Sequence, residues 1–279
     1  MKLLRYGPIG QEIPCLLDDD GHIRDLSAHV TDFMGETVSL KSMDMIRALD
    51  VNQLPRLPMG ARIGACLADV PNFYCIGLNY AKHAAETGST LQAEPRVFNK
   101  ATSALTGPFD VIKLPHGSKQ TDWEVELGLV IGKPCYDVSQ KDALDYVSAY
   151  FTCNDVSERE YQKSRSGQWV KGKSAPTFAP IGPYLVTPDE IADPQKLGLT
   201  TKVNGKTMQS SNTDDMIFNI RTIISKMSEY FELRTGDVII TGTPEGVGLG
   251  IKPTPIFLKP GDVVEVEVHG LGAQKMDVV

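Results

Sequence analysis

Asp122-Trp123-Glu124-Val125-Glu126-Leu127-Gly128-Leu129-Val130-Ile131-Gly132 alternates charge with hydrocarbon. Side chains i and i+2 of a strand project from one face, so Glu124 and Glu126 become neighbours. Trp123, Val125, Leu127, Leu129 and Ile131 fill the opposite, apolar face. Beyond Glu126 the carboxylate face carries only Gly128 and Val130, a bare floor beside two anions, and that combination calls for a cation. Spacing alone does not decide it. Val264-Glu265-Val266-Glu267-Val268 repeats the pattern, and such strands are ordinarily half-solvated.

The company of the first pair sets it apart. The apolar run Ala149-Tyr150-Phe151-Thr152-Cys153-Asn154 ends at Asp155, and Ser157-Glu158-Arg159-Glu160 reads as a capping box opening a short helix. Asp155 is therefore expected at a strand end, either as a helix-entry turn residue or as a third carboxylate. Three carboxylates without His or Cys make an all-oxygen site, suited to Mg2+ or Mn2+ rather than zinc.

The 279 residues include 28 basic and 35 acidic side chains, a net charge of -7, with 41% hydrophobic content. That balance argues against a nucleic-acid surface and for a small-molecule enzyme with its own local positive charge. No stretch is long and apolar enough for a membrane span, and the opening Met1-Lys2-Leu3-Leu4-Arg5 lacks a signal-peptide core. A cytoplasmic protein without membrane partners is the expectation. Cys15, Cys66, Cys75, Cys135 and Cys153 are odd in number and scattered in apolar sequence, the pattern of reduced core thiols.

Residues 1–70 read as a small N-terminal β-rich domain, closed by the connection around Pro55, Pro58 and Gly60; residues 71–279 read as a larger, mainly β domain. Asn204-Gly205 marks a hairpin turn. Met216, Ile217, Ile220, Ile223, Ile224, Met227, Tyr230 and Phe231 recur at helical spacing behind the capping-rich Asn212-Thr213-Asp214-Asp215.

Three further segments carry chemistry. After the apolar run Phe73-Tyr74-Cys75-Ile76, His83 and Glu86 stand three residues apart, adjacent on one helical face. That pair is either a surface histidine with an acidic neighbour or an oriented general base. The basic stretch from Arg159 to Lys173 is either a solvated loop or a source of positive charge for an anionic substrate; Arg159 and Gln162 are its candidate substrate contacts, and Lys173 is suited to stabilising a developing oxyanion. Thr241-Gly242-Thr243-Pro244-Glu245-Gly246-Val247-Gly248-Leu249-Gly250 has neither phosphate-loop nor dinucleotide spacing. It reads as a tight loop bringing Thr243 to a site wall.

From about Asn72 onward these segments together resemble the fumarylacetoacetate hydrolase family. The matches are Gly77-x-Asn79-Tyr80-x-x-His83-x-x-Glu86, Asp122-Trp123-Glu124-x-Glu126-Leu127, Asn154-Asp155-Val156-Ser157, Gly172-Lys173-Ser174 and Thr241-Gly242-Thr243-Pro244-Glu245-Gly246-Val247-Gly248. The resemblance implies an α+β, mainly β fold, a mixed β-sandwich roll, expected as a homodimer. It implies that Glu124, Glu126 and Asp155 hold Mg2+ or Mn2+, that His83, Glu86 and Lys173 are catalytic, and that Thr243 meets substrate. Leu78 departs from the pattern, since many relatives carry Arg there. The implied reaction is hydrolysis of a 2,4-dioxo acid (an acylpyruvate) to pyruvate and a second acid. Within the family the chain looks most like hydrolases of 2,4-diketo-3-deoxy-rhamnonate or -fuconate. Oxaloacetate decarboxylation or tautomerisation, ureidoglycolate lyase activity, and a metal-stabilised domain that merely binds small acids remain the alternatives. The segment 83–90 is expected to be a mobile lid.

Overall fold

A computed structural model describes residues 1–90 and 92–279. Its strands are numbered in chain order. A nine-stranded sheet runs β3 (Ile23–Asp25), β2 (Ile13–Leu17), β1 (Lys2–Tyr6), β12 (Leu185–Val186), β9 (Val147–Asn154), β8 (Val125–Ile131), β15 (Val238–Ile240), β4 (Phe73–Gly77), β5 (Arg96–Asn99). Among the described residues only β15 and β4 are parallel neighbours in it. A four-stranded antiparallel sheet, β14 (Lys206–Asn212), β13 (Gly198–Val203), β16 (Val263–Val268), β17 (Gly272–Asp277), packs across β8 and β9. Two short ladders accompany these sheets, β7 (Thr121–Asp122) with β10 (Ser157–Glu158) and β6 (Leu105–Thr106) with β11 (Ala179–Pro180). The helices are α1 (Leu40–Arg47), α2 (Ala81–Glu86), α3 (Arg159–Ser164), α4 (Val170–Lys173) and α5 (Ile220–Tyr230). The mainly β reading of the sequence holds.

Every residue of β8 and β9 is buried, so the floor beyond Glu126 is not open. Gly128 faces Phe151 across the strand pair, and the phenyl ring lies so close that a Cβ on Gly128 would come within 2.2 Å of it. The glycine is there to admit the ring. The same register pairs Val125 with Asn154. Antiparallel pairing thus sets the start of β8 beside the end of β9, and the Asp155 N–H donates to the Glu124 carbonyl at 2.8 Å.

Two local expectations are corrected. Ser157 is not a helix cap: Ser157–Glu158 is held extended by pairing with Thr121–Asp122, and α3 is capped one residue later by Glu158, whose carboxylate accepts from the Glu160 N–H. The long apolar stripe also starts later than its first members. Asn212 caps only a single turn, Thr213–Asp215, and the helix begins after Asn219, whose side chain accepts from the Thr222 N–H at 2.9 Å. Its apolar face, Ile220, Ile223, Ile224 and Met227, is core as expected. Asn204 and Gly205 both take positive φ, 50° and 76°, the geometry of a two-residue hairpin turn. All five cysteines are free and buried, and burial pushes the Cys15 thiol up to about 12.

Candidate active site

Strand register, not proximity in sequence, assembles the acids. Glu124 precedes β8, Glu126 lies within it, and Asp155 follows β9. All three are buried, and one carboxylate oxygen from each lies within 4.8 Å of the others. The control pair behaves differently: Glu265 pairs with Lys275 on a half-exposed face and Glu267 points to solvent. Asp18, Asp20 and His22 also approach one another, but Asp18 is spent on the Arg24 guanidinium and on backbone N–H groups of its own turn.

Three buried cations answer the cluster. The Lys173 ammonium stands between Glu124 Oε2 and Asp155 Oδ2, at 2.5 and 2.6 Å. Lys100 donates to Asp155 Oδ1 at 2.5 Å. Arg159 bridges Glu124 Oε1, at 2.5 Å, and Asp122 Oδ1, at 2.7 Å. Burial opposes ionisation throughout, and the neighbours decide the outcome group by group. At Glu124 burial acts upward, but Arg159 and Lys173 together overcome it and hold the carboxyl far below the usual range. Burial dominates at Asp122, raising it to about 6. At Glu126 burial and the adjacent Asp155 and Glu124 all act upward, and its carboxyl rises well above the usual range. Glu126 receives one backbone donor, Gly242 N–H at 2.7 Å, and no cationic partner among the described residues.

Formally, four buried acids (Asp122, Glu124, Glu126, Asp155) face three buried bases (Lys100, Arg159, Lys173). The uncompensated carboxylate sits where the three acids converge, and the donors there are all oxygen. Those residues fit a hard divalent ion.

The same cleft receives His83 from α2. His83 Nδ1 lies 2.9 Å from Glu86 Oε1, and the Glu86 carboxylate also accepts the Gly246 N–H, at 3.0 and 3.1 Å. Gly250 makes room for that carboxylate, since a Cβ there would lie 2.4 Å from its carbon. With the Nδ1 proton given to Glu86, Nε2 keeps its lone pair for the cleft. Gln162, whose Oε1 accepts from Arg159 at 3.1 Å, leaves its amide donors for the cleft. Thr243 lines the wall, but its hydroxyl donates to the Val125 carbonyl and accepts from Gln209.

Every residue singled out from sequence therefore lies in one place. Sequence reasoning missed Lys100, Asp122 and Trp169. Asp122 had a signal, the continued i, i+2 spacing Asp122, Glu124, Glu126; Lys100 had none, because a lone lysine is ordinarily solvated.

A carboxylate cluster suited to a hard cation, in one cleft with an imidazole held by a carboxylate, has the makings of an enzyme site. Comparison with known proteins agrees. Residues 72–279 match the description "Fumarylacetoacetate (FAA) hydrolase C-terminal", and the chain belongs to this family. A Burkholderia multivorans protein provisionally named a hydrolase is 55% identical over 98% of this chain and 97% of its own length. Among solved structures, fumarylacetoacetate hydrolase from Exiguobacterium antarcticum superposes with a TM-score of 0.85 at 36% identity, covering 100% of this chain and 99% of its own. The 5-carboxymethyl-2-hydroxymuconate delta-isomerase of Mycobacterium smegmatis gives 0.78 at 32%, covering 100% and 98%. Maleylpyruvate hydrolase from Sphingobium sp. SYK-6 gives 0.82 at 27%, covering 100% and 99%. Among the described residues no helix is long and apolar enough to cross a membrane.

Proposed function

We propose that the protein is a Mg2+-dependent hydrolase, with Mn2+ as the alternative ion, that cleaves the C3–C4 bond of a 2,4-dioxo acid to give pyruvate and a second acid. The observation that carries this reading is the His83–Glu86 pair, aimed into the cleft that holds the carboxylate cluster. Glu124, Glu126 and Asp155 would hold the ion, which supplies a Lewis acid for the 2-oxo acid end of the substrate. Arg159 and Gln162 orient the substrate carboxylate. Nε2 of His83 takes a proton from water, whose oxygen adds to the C4 carbonyl. The C3–C4 bond then breaks with its electron pair left on the pyruvate fragment as an enolate, and Lys173 stabilises that charge until C3 is protonated.

The diketo-deoxy sugar acids of the rhamnonate and fuconate type, whose acyl part is short, are the finer reading. The isomerase among the structural relatives favours a second one, in which Lys173 and the acids serve enolate chemistry without water addition, as in oxaloacetate tautomerisation or decarboxylation. Pyruvate release from a panel of acylpyruvates, oxaloacetate, ureidoglycolate and diketo sugar acids, with Mg2+, tests both. Hydrolysis that is lost in His83→Ala supports the first; His83→Ala with full activity on the best substrate refutes it in favour of the second.

A further inference from the structure

Resting on the hydrolase reading but not on its sugar-acid form, whose acyl part is hydroxylated, we infer that the acyl tail accepted by this site is uncharged and apolar, and that Trp169 and Leu78 are the residues that select it. The cleft has two unlike walls. One is α3, with Arg159, Gln162 and Lys163. The other is hydrocarbon: Ile76, Leu78, Phe98 and Trp169.

The apolar wall is built rather than incidental. The Trp169 indole lies on the backbone of Gly77, where a Cβ would come within 2.5 Å of the ring, so the strand end must be glycine for the indole to sit there. Phe98 meets Trp169 edge-on, with ring centroids 5.1 Å apart. Arg96 stacks over the indole at 5.3 Å, and Lys173 lies 5.3 Å from the Phe98 ring. A continuous aromatic surface therefore leads outward from the ammonium between Glu124 and Asp155. Leu78 holds φ at 59°, a conformation that costs a leucine strain, and lines the cleft beside it.

Charge completes the case. Of the cations lining the cleft, Lys173 and Arg159 are spent on Glu124, Asp155 and Asp122. Lys163 is the one without an acidic partner among the described residues, and it stands beside Arg159 and Gln162 on the polar wall. Lys163 thus joins Arg159 and Gln162 at the one carboxylate of the 2-oxo acid end, and no unpaired cation among the lining residues remains for another. A second carboxylate on the tail would be desolvated against Trp169 and Leu78, and Arg96, stacked over the indole, is not among the residues that line the cleft.

The test compares kcat/KM for acetylpyruvate, propanoylpyruvate and hexanoylpyruvate with fumarylpyruvate and maleylpyruvate. Uncharged tails should improve with length until the wall is covered, by about fourfold per methylene, and dicarboxylic substrates should lie at least a hundredfold below. Trp169→Ala should raise KM for the long tail far more than for acetylpyruvate, leaving kcat nearly unchanged. Ligand binding is read independently by fluorescence, because Trp123 is wholly buried and Trp169 alone lines the cleft. A preference for dicarboxylic tails over uncharged tails of equal length overturns the inference and leaves the hydrolase intact. If no acylpyruvate is cleaved, the hydrolase reading fails instead. Quenching of Trp169 by hexanoylpyruvate but not maleylpyruvate then still supports the inference, and the reverse order overturns it.

Discussion

Glu126→Gln should make the metal-free protein more stable and the metal-loaded protein less able to gain from its ion. Glu126 is buried among Asp155 and Glu124 with no cation bonded to it among the described residues, and its carboxyl is pushed well above the usual range, first by burial and then by those neighbours. An acid raised in the folded state holds its proton after the unfolded chain has released it. Stability therefore falls as pH rises from the unfolded value, about 4.3, until the folded group also ionises, by about 1.4 kcal/mol per pH unit. Each pH unit over which the folded group keeps its proton is therefore worth roughly 2 to 3 °C in Tm for a chain of this size. Glutamine removes the slope, keeps an acceptor for the Gly242 N–H, and offers donors to Asp155 and Glu124. The assay is thermal unfolding in EDTA and in Mg2+, from pH 5 to 8, with titration calorimetry for the ion. In EDTA the variant should match wild type near pH 5 and exceed it by pH 7; in Mg2+ wild type should gain more. A variant less stable than wild type in EDTA at pH 7, or one that binds Mg2+ equally well, would refute the charge argument.

Chelation should abolish activity while leaving the far-ultraviolet circular dichroism intact, because a β core of this size does not depend on one ion; collapse on chelation would make the site structural. His83→Ala should lose about a hundredfold or more in hydrolysis yet bind oxalate nearly as wild type does, with Glu86→Gln milder and the double variant non-additive; additive losses would separate the pair. Gly128→Ala should destabilise by about 3 kcal/mol, measured by urea unfolding, because the added methyl meets the Phe151 ring in a strand buried on both faces; an unchanged midpoint would mean that the ring moves aside freely. The segment 83–90 should gain hydrogen-exchange protection on addition of oxalate with Mg2+, and equal exchange with and without ligand would remove the lid from the mechanism.

Short-range spacing made much of this protein legible before any coordinates. The i, i+2 rule aligned Glu124 with Glu126, the i, i+3 rule aligned His83 with Glu86, and Asn204-Gly205 demanded its hairpin, since each depends on backbone geometry within a few residues. Capping was less legible. Ser157 and Asn212 carry good cap chemistry, but a ladder with Thr121–Asp122 keeps the first extended and the second closes only a single turn. Tertiary structure alone decided which glutamate pair gains a third buried acid. Val125 opposite Asn154 brings Asp155 to Glu124 and Glu126, while Glu265 lies between lysines, Lys202 on β13 and Lys275 on β17, and Glu267 faces solvent. It also decided that Gly128 is a seat for Phe151, that Lys100 is buried on Asp155, and that Trp169 lies on Gly77 to wall the cleft. Those facts depend on strand register and on side chains distant in sequence, and no local pattern carries information about which distant group will arrive.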